Sequence, residues 1–442
     1  MSIIAKKIEI DFTDDKITSS GGSVFLSQTS SHLGLPKLLH SSLGLKVRKR
    51  GASDSQMILS LIYSLANGDG ALCDVDRLGA DQPRREVLGL ERVPGHRRLG
   101  EYLCRFDESA LKSFYGVPRA LCSQVLPAVV EHELSEKGYI PVFMDGSGIE
   151  VSGEYFEGAG ELYDGSVGYW LHGVFVGPLW TAQRLWPGGV DVARGWKEQL
   201  KETAELIGHK GPVWARLDNA YYRGAVVENL AKLGWDFSIS VTNKNNKRPI
   251  LEIVNAFWEE DWTPINDDNT EHAAFVYYQP AKWEEEQVYV VVKSIYKGKQ
   301  KLLFPRYTVI LVSRDDLPLD EIVKRHRGKQ GQENAFKGPL IHLDLHHPPC
   351  QRFRANRAFY TAGQIAQILL VATQYLLLPE AAREHGLRTI IRDLVRAGAK
   401  LVKKARKLIL KFTKQLPGRT IFWINYAADR IEKLAHAPPV TC

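Results

Sequence analysis

The order of strand-like and helix-like segments between residues 139 and 242 constrains the fold more than any other feature of the chain. Three stretches rich in aromatic and β-branched residues, separated by Gly and Pro, predict a meander of strands, after which helix and strand patterns alternate. The segments are strands at 139–153, 167–177 and 179–188, a helix at 192–208, a strand at 212–218, a helix at 223–234 and a strand at 236–242. This order predicts an α/β fold with a ribonuclease H-like mixed sheet and flanking helices.

The rest of the chain divides around this sheet. Residues 1–135 show mainly helical patterns, and residues 136–378 form the predicted sheet domain, with a β-rich insertion at about 243–306. A core strand at 306–316 and a helix from about 319 to 338 follow the insertion. Residues 379–442 form a basic region that we predict to be helical.

Composition excludes several classes of protein. The chain has 442 residues, of which 44% are hydrophobic and 25% charged, as in ordinary globular proteins. Its five cysteines are scattered and form no CxxC pair, which argues against a disulfide scaffold or a zinc ribbon and fits a reducing cytosol. The longest apolar stretch, 367–379, is too short to span a bilayer. We therefore expect a soluble cytoplasmic protein without a membrane partner.

Positive charge is concentrated near the end of the chain. Residues 383–411 contain ten Lys or Arg and two acids, whereas the whole chain has a net charge of only +7. Six of the basic residues recur at steps of four or three and predict one stripe on an amphipathic helix: Arg388, Arg392, Arg396, Lys400, Lys404 and Lys407. Such a stripe would contact backbone phosphates without reading sequence, although a solvated helix face explains the pattern equally well.

Three acidic residues stand out by their positions in the predicted strands and helix. Asp145 interrupts the apolar strand "PVFMDGSGIEV", Asp218 ends the strand "PVWARLD", and Glu333 lies in "HRGKQGQENAFKG" on the helix after the insertion. The first and fourth strands of a ribonuclease H-like sheet are neighbours, so Asp145 and Asp218 would face each other and Glu333 could be presented to the same point. Gly146 and Gly148 would leave space for DNA and metal beside the strand. For any one of these acids alone, a turn residue or an exposed helix charge is the better explanation.

A cluster of three carboxylates favours divalent cations. The charges repel one another unless cations neutralise them, and hard oxygen ligands suit Mg²⁺ or Mn²⁺. Two such ions about 4 Å apart activate a water or a 3′-hydroxyl and stabilise the leaving oxygen of a phosphodiester. We therefore predict two ions held by the three acids.

The motifs "VFMDGSG", "ARLDNAYYRGAVVENLAKLGWDFSISVTNK" and "HRGKQGQENAFKG" together resemble DDE transposases of the IS4-type superfamily, in particular the IS1380 group of insertion sequences. The resemblance covers roughly residues 135–410, and the second acid follows the first by 73 positions and the third follows the second by 115. It implies metal-dependent cleavage at insertion-sequence ends and strand transfer into target DNA, with Asp145, Asp218 and Glu333 as catalytic residues. The implied partners are double-stranded inverted repeats, target DNA and a second copy in a synaptic homodimer, and the implied location is the nucleoid.

The third motif departs from the family pattern, which has Tyr, two residues, Arg, three residues, Glu and then Lys. Matching on Glu333 places His326 at the Tyr position and Lys329 at the Arg position, with Lys337 as the family lysine. Arg327 or Arg325 could supply the missing guanidinium. The resemblance thus implies DNA-phosphate contacts from His326, Arg327, Lys329 and Lys337, and it leaves end recognition to the N-terminal helices.

Two alternatives to an active transposase stay open from the sequence. One is a transposase-derived DNA-binding protein without catalysis. This alternative stays open because His326 and Lys329 depart from the family pattern. The other is a ribonuclease H-like nuclease that cleaves DNA without joining it.

Overall fold

The structure, a computed structural model, describes residues 13–46, 50–153, 155–295, 304–328, 338–405 and 407–435. A short strand, β1 (Ile17–Thr18), precedes seven helices that account for most of the N-terminal region. The helices are α1 (Ser23–His32), α2 (Leu35–Ser42), α3 (Asp54–Leu65), α4 (Asp74–Ala80), α5 (Gln82–Val87), α6 (His96–Leu103) and α7 (Glu108–Lys137). The predicted helical character of this region is therefore present in the described residues.

Local signals explain where several of these helices begin and end. Helix α3 starts with a capping box, in which Ser53 and Gln56 satisfy each other's backbone N–H groups. Helix α7 starts at Asp107, whose side chain accepts from the backbone N–H of Ala110, and ends at Gly138 in the left-handed conformation. That ending delivers the chain directly into the first long strand.

The central sheet begins immediately after α7. Its first strands and the helices between them are β2 (Ile140–Glu150), β3 (Gly160–Glu161), β4 (Val167–Val176), β5 (Leu179–Pro187), α8 (Trp196–Ile207), β6 (Val213–Leu217), α9 (Gly224–Lys232) and β7 (Asp236–Val241). Strand β4 pairs antiparallel with β2 and with β5, whereas β2, β6 and β7 are parallel neighbours. The spatial order β5-β4-β2-β6-β7 is the predicted ribonuclease H-like order, so the fold-class prediction is confirmed.

The predicted β-rich insertion widens this same sheet. It contains α10 (Lys247–Val254), β8 (Thr263–Pro264), β9 (Glu271–Tyr278) and β10 (Gln287–Ser294), and it is followed by β11 (Arg306–Val312). Strand β11 pairs antiparallel with β7, and β10, β9 and β8 continue outward from β11. The alternating aromatic and β-branched residues of β9 and β10 are typical of strands. The insertion is thus an extension of the sheet through backbone hydrogen bonds.

The last part of the chain returns to the sheet and then to the N-terminal helices. It comprises α11 (Leu319–Arg327), a π-helical turn (Gly338–His342), α12 (Phe353–Leu377), α13 (Leu387–Ile390), a second π-helical turn (Ile391–Val395), β12 (Ala399–Lys404), β13 (Lys407–Phe412) and α14 (Gly418–Ala435). Helix α12 is buried along almost its whole length and contacts α7, α1, α3 and β5. Apolar residues from Phe25 to Ala427 therefore share one continuous core with the sheet.

The prediction of a helix at 383–411 is wrong. Among the described residues of this range, the helical segments are the end of a 3₁₀ turn (Glu380–Glu384), α13 and the following π-helical turn, and β12 and β13 form an antiparallel hairpin that pairs with β1. Ala399 and Leu401 are buried on one face of β12, so the segment follows a period of two. The physical reason is that this hairpin buries its apolar face against the N-terminal helices, which an isolated basic helix would not do.

Candidate active site

The ends of β2 and β6 bring Asp145 and Asp218 together. In the parallel register Phe143 lies opposite Arg216 and Met144 opposite Leu217, so the next pair along the strands is Asp145 and Asp218. The continuous buried run of β2 ends at Met144, and Asp145 is only half-buried, as is Asp218. The carboxylate in the apolar run therefore lies at the end of the buried segment, where water or a cation reaches it.

Each carboxylate is fixed by a local backbone hydrogen bond. The Gly146 N–H donates to Oδ1 of Asp145 at 2.8 Å, and the Ala220 N–H donates to Oδ1 of Asp218 at 2.9 Å. The second bond begins the 3₁₀ turn Asn219–Tyr221. Because a backbone N–H group orients one oxygen of each carboxylate, both carboxylates point in a defined direction before any cation binds.

The pKa of Tyr221 reflects its burial and the negative charges of Asp145 and Asp218. Its phenol is buried, and burial raises its pKa well above the usual value, with the carboxylates of Asp145 and Asp218 adding to the increase. Two negative charges on separate strands thus act on one hydroxyl. This effect agrees with the strand register, which places the two carboxylates at adjacent strand ends.

A buried polar network supports the strand ends from the α8 side of the sheet. His172, on β4, pairs with Gly146 in register, and its Nε2 hydrogen-bonds to the phenol of Tyr221. The amide of Gln199, on α8, lies 2.8 Å from Nδ1 of His172. Burial lowers the pKa of His172 to about 4, so the imidazole is neutral at neutral pH. The sequence signal for this network is His172, a histidine within the otherwise apolar strand β4. The predictions from sequence did not include this residue.

An ion pair holds the segment after Asp218. The guanidinium of Arg223 donates to both carboxylate oxygens of Asp191, at 2.6 and 2.7 Å, and to the carbonyl of Ala220 at 3.0 Å. The hydrogen bonds from Arg223 lower the pKa of Asp191. Asp191 precedes α8, so this pair links the loop before α8 to the turn after β6 and restricts movement of Asp218.

The glycines beside Asp145 are close to protein side chains. A Cβ atom on Gly146 would lie 3.0 Å from Cγ2 of Val192 and 3.4 Å from Cδ2 of His172. A Cβ atom on Gly148 would lie 2.9 Å from Cδ1 of Leu162. The prediction that these glycines leave space for DNA and metal is therefore wrong, because the packing of Val192, His172 and Leu162 fills that space.

Helix α11 packs against the face of the sheet that carries the two acids. Alternation along β6 places Trp214, Arg216 and Asp218 on one face. The guanidinium of Arg325 lies 4.9 Å from the Trp214 ring, and Nε of Arg216 donates to the carbonyl of His326 at 2.8 Å. The end of α11 is thus anchored two residues from Asp218 along the strand.

The structure places the predicted phosphate-binding residues of this helix in two environments. His326 is buried, and its Nε2 lies 3.2 Å from Oγ of Ser240 on β7, which favours a packing role. Arg327 is partly exposed and donates to both oxygens of Glu271 on β9, at 2.7 Å for the longer contact. Lys329, Glu333 and Lys337 lie outside the described residues.

The structure distributes the six predicted residues of the basic stripe over several elements. Arg388 is exposed on α13, Arg392 pairs with Asp393, and Arg396 donates to the carbonyl of Asn67 at 2.8 Å and to Asp69 at 3.1 Å. Lys400, Lys404 and Lys407 lie on the β12–β13 hairpin. The prediction of a single helical stripe is wrong for this reason, and Arg392 and Arg396 already have intramolecular partners.

The two described acids fit part of a divalent-cation site. Their ligands are carboxylate oxygens on adjacent strand ends, of the kind that Mg²⁺ and Mn²⁺ prefer. Within the ranges that the structure describes, no group of three or more His, Cys, Asp or Glu side chains is arranged to hold a metal ion. Asp145 and Asp218 are the two predicted ligands that lie within the described residues, at adjacent strand ends.

Comparison with known proteins adds a family assignment. Residues 2–436 match the sequence model of the family described as Transposase DDE domain group 1. Among solved structures, the chain is similar to piggyBac transposase in a cryo-EM structure of its synaptic complex with hairpin DNA, with 11% identity, a TM-score of 0.40, and coverage of 95% of this chain and 82% of that chain. No curated protein matches the chain. The family match spans both the helices before the sheet and the basic region after it.

Proposed function

The chain belongs to the family Transposase DDE domain group 1, and from this premise we propose that it is a DNA transposase of the IS4 type, in the IS1380 group. It cleaves DNA at insertion-sequence ends and transfers the freed strands into target DNA by a cut-and-paste route. The observation that carries the proposal is the placement of Asp145 and Asp218 side by side on adjacent parallel strands.

Asp145, Asp218 and Glu333 act as the metal ligands in this proposal. Two bound Mg²⁺ or Mn²⁺ ions activate the attacking water or 3′-hydroxyl and stabilise the leaving oxygen of the phosphodiester. The backbone N–H groups of Gly146 and Ala220 orient the two described carboxylates. Arg216 holds the end of α11 beside the sheet, which supports the assignment of Glu333 as the third ligand because that residue follows α11 by only six positions.

DNA binding in this proposal relies on cations around the carboxylates and near the end of the chain. Lys329 and Lys337 contact phosphate next to the metal site, and Arg327 joins them if DNA displaces its contact with Glu271. Arg388, Lys400, Lys404 and Lys407 contact phosphate farther from the site. Synapsis of two ends requires two copies of the chain, so a homodimer bound to inverted repeats is the working form, associated with the nucleoid.

No helix among the described residues combines the length and apolar character that a bilayer span requires.

The test is a strand-transfer assay with a labelled insertion-sequence end, a target plasmid and Mg²⁺ or Mn²⁺. We expect Asp145→Asn, Asp218→Asn and Glu333→Gln each to abolish cleavage and joining. Glu150→Gln, an exposed acid on the same strand as Asp145, is the matched control and should retain both activities. Binding of Mn²⁺, followed by electron paramagnetic resonance, should weaken in the first three variants and not in the control.

Each other outcome identifies an alternative. Cleavage without joining would indicate a nuclease, and DNA binding without either reaction would indicate a transposase-derived binding protein. Joining that persists after loss of any of the three acids would refute the metal-site assignment.

A further inference from the structure

The β12–β13 hairpin has one face attached to the protein and one face turned to solvent. On the attached face, Ala399 and Leu401 are buried, and the Phe412 ring stacks on Phe25 of α1 with a centroid distance of 6.4 Å. Strand β1 pairs with the edge of β12, which completes a three-stranded antiparallel sheet. The hairpin is therefore held in place by apolar packing and by backbone hydrogen bonds.

The solvent-facing side carries two pairs of opposed lysines. Lys400 lies directly opposite Lys411 and Lys404 directly opposite Lys407, with Val402 and Ile409 between the pairs on the same face. All four lysines are exposed. Like charges directly opposite each other on neighbouring strands destabilise a sheet, so this arrangement has a cost in the free protein.

Little negative charge compensates these lysines. Nζ of Lys400 lies 2.8 Å from Oδ1 of Asp15, in a pair that is half-exposed on both sides. Among the residues that the structure describes, no carboxylate forms an ion pair with Lys404, Lys407 or Lys411. The outer end of the hairpin is consequently a rigid surface of uncompensated positive charge.

We propose that this face, formed by Lys400, Lys404, Lys407 and Lys411, binds the phosphate backbone of duplex DNA. The inference rests on the proposed transposase function and deepens it, because it assigns three of the lysines proposed above, together with Lys411, to one face of a hairpin. The two lysine pairs are four residues apart along the strands, a separation of about 13 Å. This distance is close to the width of the major groove of B-DNA, about 12 Å, so each pair can contact the backbone on one side of the groove.

The chemistry of the face indicates binding without sequence preference. Lysine ammonium groups are point charges that contact phosphate but lack the forked geometry that reads base edges. The two residues between the pairs, Val402 and Ile409, are aliphatic and offer no hydrogen-bonding groups to bases. The face would therefore hold DNA while other parts of the protein select the end sequence.

The experiment compares two double variants in the full-length protein. Lys404→Gln with Lys407→Gln removes one opposed pair, and Lys112→Gln with Lys197→Gln removes two exposed lysines of α7 and α8 as the matched control. Binding to a 30-base-pair duplex of arbitrary sequence is measured by fluorescence anisotropy at several salt concentrations. We expect the hairpin variant to bind roughly tenfold more weakly at low salt and its log–log salt slope to fall by about two, since each phosphate contact contributes about 0.9.

A second readout separates DNA binding from damage to the fold. The hairpin variant should unfold at the same or a higher temperature than the wild type without DNA, because the substitution removes like-charge repulsion. Weaker DNA binding accompanied by a lower melting temperature would contradict the proposal, as would an unchanged salt slope. Hairpin-dependent binding to phosphatidylglycerol vesicles, with unchanged affinity for DNA, would also overturn it and point to a membrane surface.

The outcome also distinguishes this inference from the proposed function. A wild-type protein that joins strands, with hairpin variants that bind DNA normally, would refute only the hairpin surface. A wild-type protein that binds no DNA would refute both.

Discussion

His172 and Tyr221 are joined by a buried hydrogen bond that links the two carboxylate-bearing segments of the protein. His172 lies opposite Gly146, the residue after Asp145, and Tyr221 closes the turn that follows Asp218. Both side chains are at most 1% exposed. The bond therefore fixes the turn after β6 relative to β2 and β4, and with it the separation of the two acids.

Replacing Tyr221 with Phe should weaken the metal site without removing a ligand. The change leaves Nε2 of His172 unpaired in the core, which costs about 1–3 kcal/mol. We expect weaker Mn²⁺ binding and a higher Mn²⁺ requirement for cleavage, with activity recovering at high Mn²⁺. Tyr222→Phe, which removes a neighbouring phenol bonded to Tyr289, is the control for loss of a buried hydroxyl. An Mn²⁺ titration of cleavage that is identical in wild type and Tyr221→Phe would contradict a positioning role.

The same network should make stability depend on pH. The pKa of His172 is about 4 in the folded protein and about 6.5 when unfolded, so between these values only the unfolded chain takes up the proton. The stabilisation from this residue is complete above pH 6.5 and falls by about 3 kcal/mol as pH drops to 4. His172→Gln should show a shallower decrease in the free energy of unfolding between pH 7 and 4.5, measured by urea denaturation. Parallel pH profiles for the two proteins would show that His172 does not contribute.

The glycine beside Asp145 provides a test of packing around the site. Gly146→Val places methyl groups against Val192 and His172. Its Cβ atom alone would be only 3.0 Å from Val192. Overpacking of this kind costs about 1–3 kcal/mol, so we expect a lower melting temperature and loss of cleavage. Ser147→Ala, the next residue on the opposite face, should change neither. A stable and active Gly146→Val protein would show that the space is open to solvent or ligand.

The order of the sheet and the pairing of Asp145 with Asp218 could be predicted from sequence. Strand and helix patterns from 139 to 242 leave few topologies, and in this one the strands that carry the two acids are neighbours. His172 and Gln199 were not predicted, because a polar residue in an apolar segment does not identify its partner from another element. Only the packing of α8 on β4 brings these two side chains together.

The basic segment shows why local spacing can mislead. Lysines at 400, 404, 407 and 411 recur at steps of four, three and four, which is the spacing of one helix face. A hairpin with two residues between Lys404 and Lys407 gives the same spacing, because residues equally distant from the turn face each other. The turn itself has no Asn-Gly signal, and Ala405 adopts a positive φ of 46°. Burial of Ala399 and Leu401 on one face of the hairpin decides between the two patterns, and burial depends on tertiary structure.

Arg396 should contribute to stability and not to DNA affinity. It connects the second π-helical turn to the loop after α3 through Asn67 and Asp69. Arg396→Ala removes these bonds and should lower the free energy of unfolding by about 1–2 kcal/mol, with DNA binding unchanged. Arg388→Ala is the comparison, because Arg388 is exposed and forms no ion pair with any residue that the structure describes. Arg388→Ala should weaken DNA binding and leave the free energy of unfolding unchanged. Weaker DNA binding for Arg396→Ala together with lower stability for Arg388→Ala would exchange the roles of the two arginines.

Arg216 should hold in place the end of α11, the helix that leads to Glu333, the third predicted metal ligand. Its guanidinium is buried and bonds to the carbonyl of His326, so Arg216→Met frees the end of α11, the element that leads to Glu333. A shift of about 1 Å in a catalytic group can cost roughly a hundredfold in rate, so we expect cleavage to fall by that order while the protein still folds. Trp214→Phe, which loses the indole bond to Ser238 on the same face, tests for a general effect of disturbing the sheet. Equal losses of cleavage rate in the two variants, at equal melting temperatures, would exclude a specific role for Arg216 in placing Glu333.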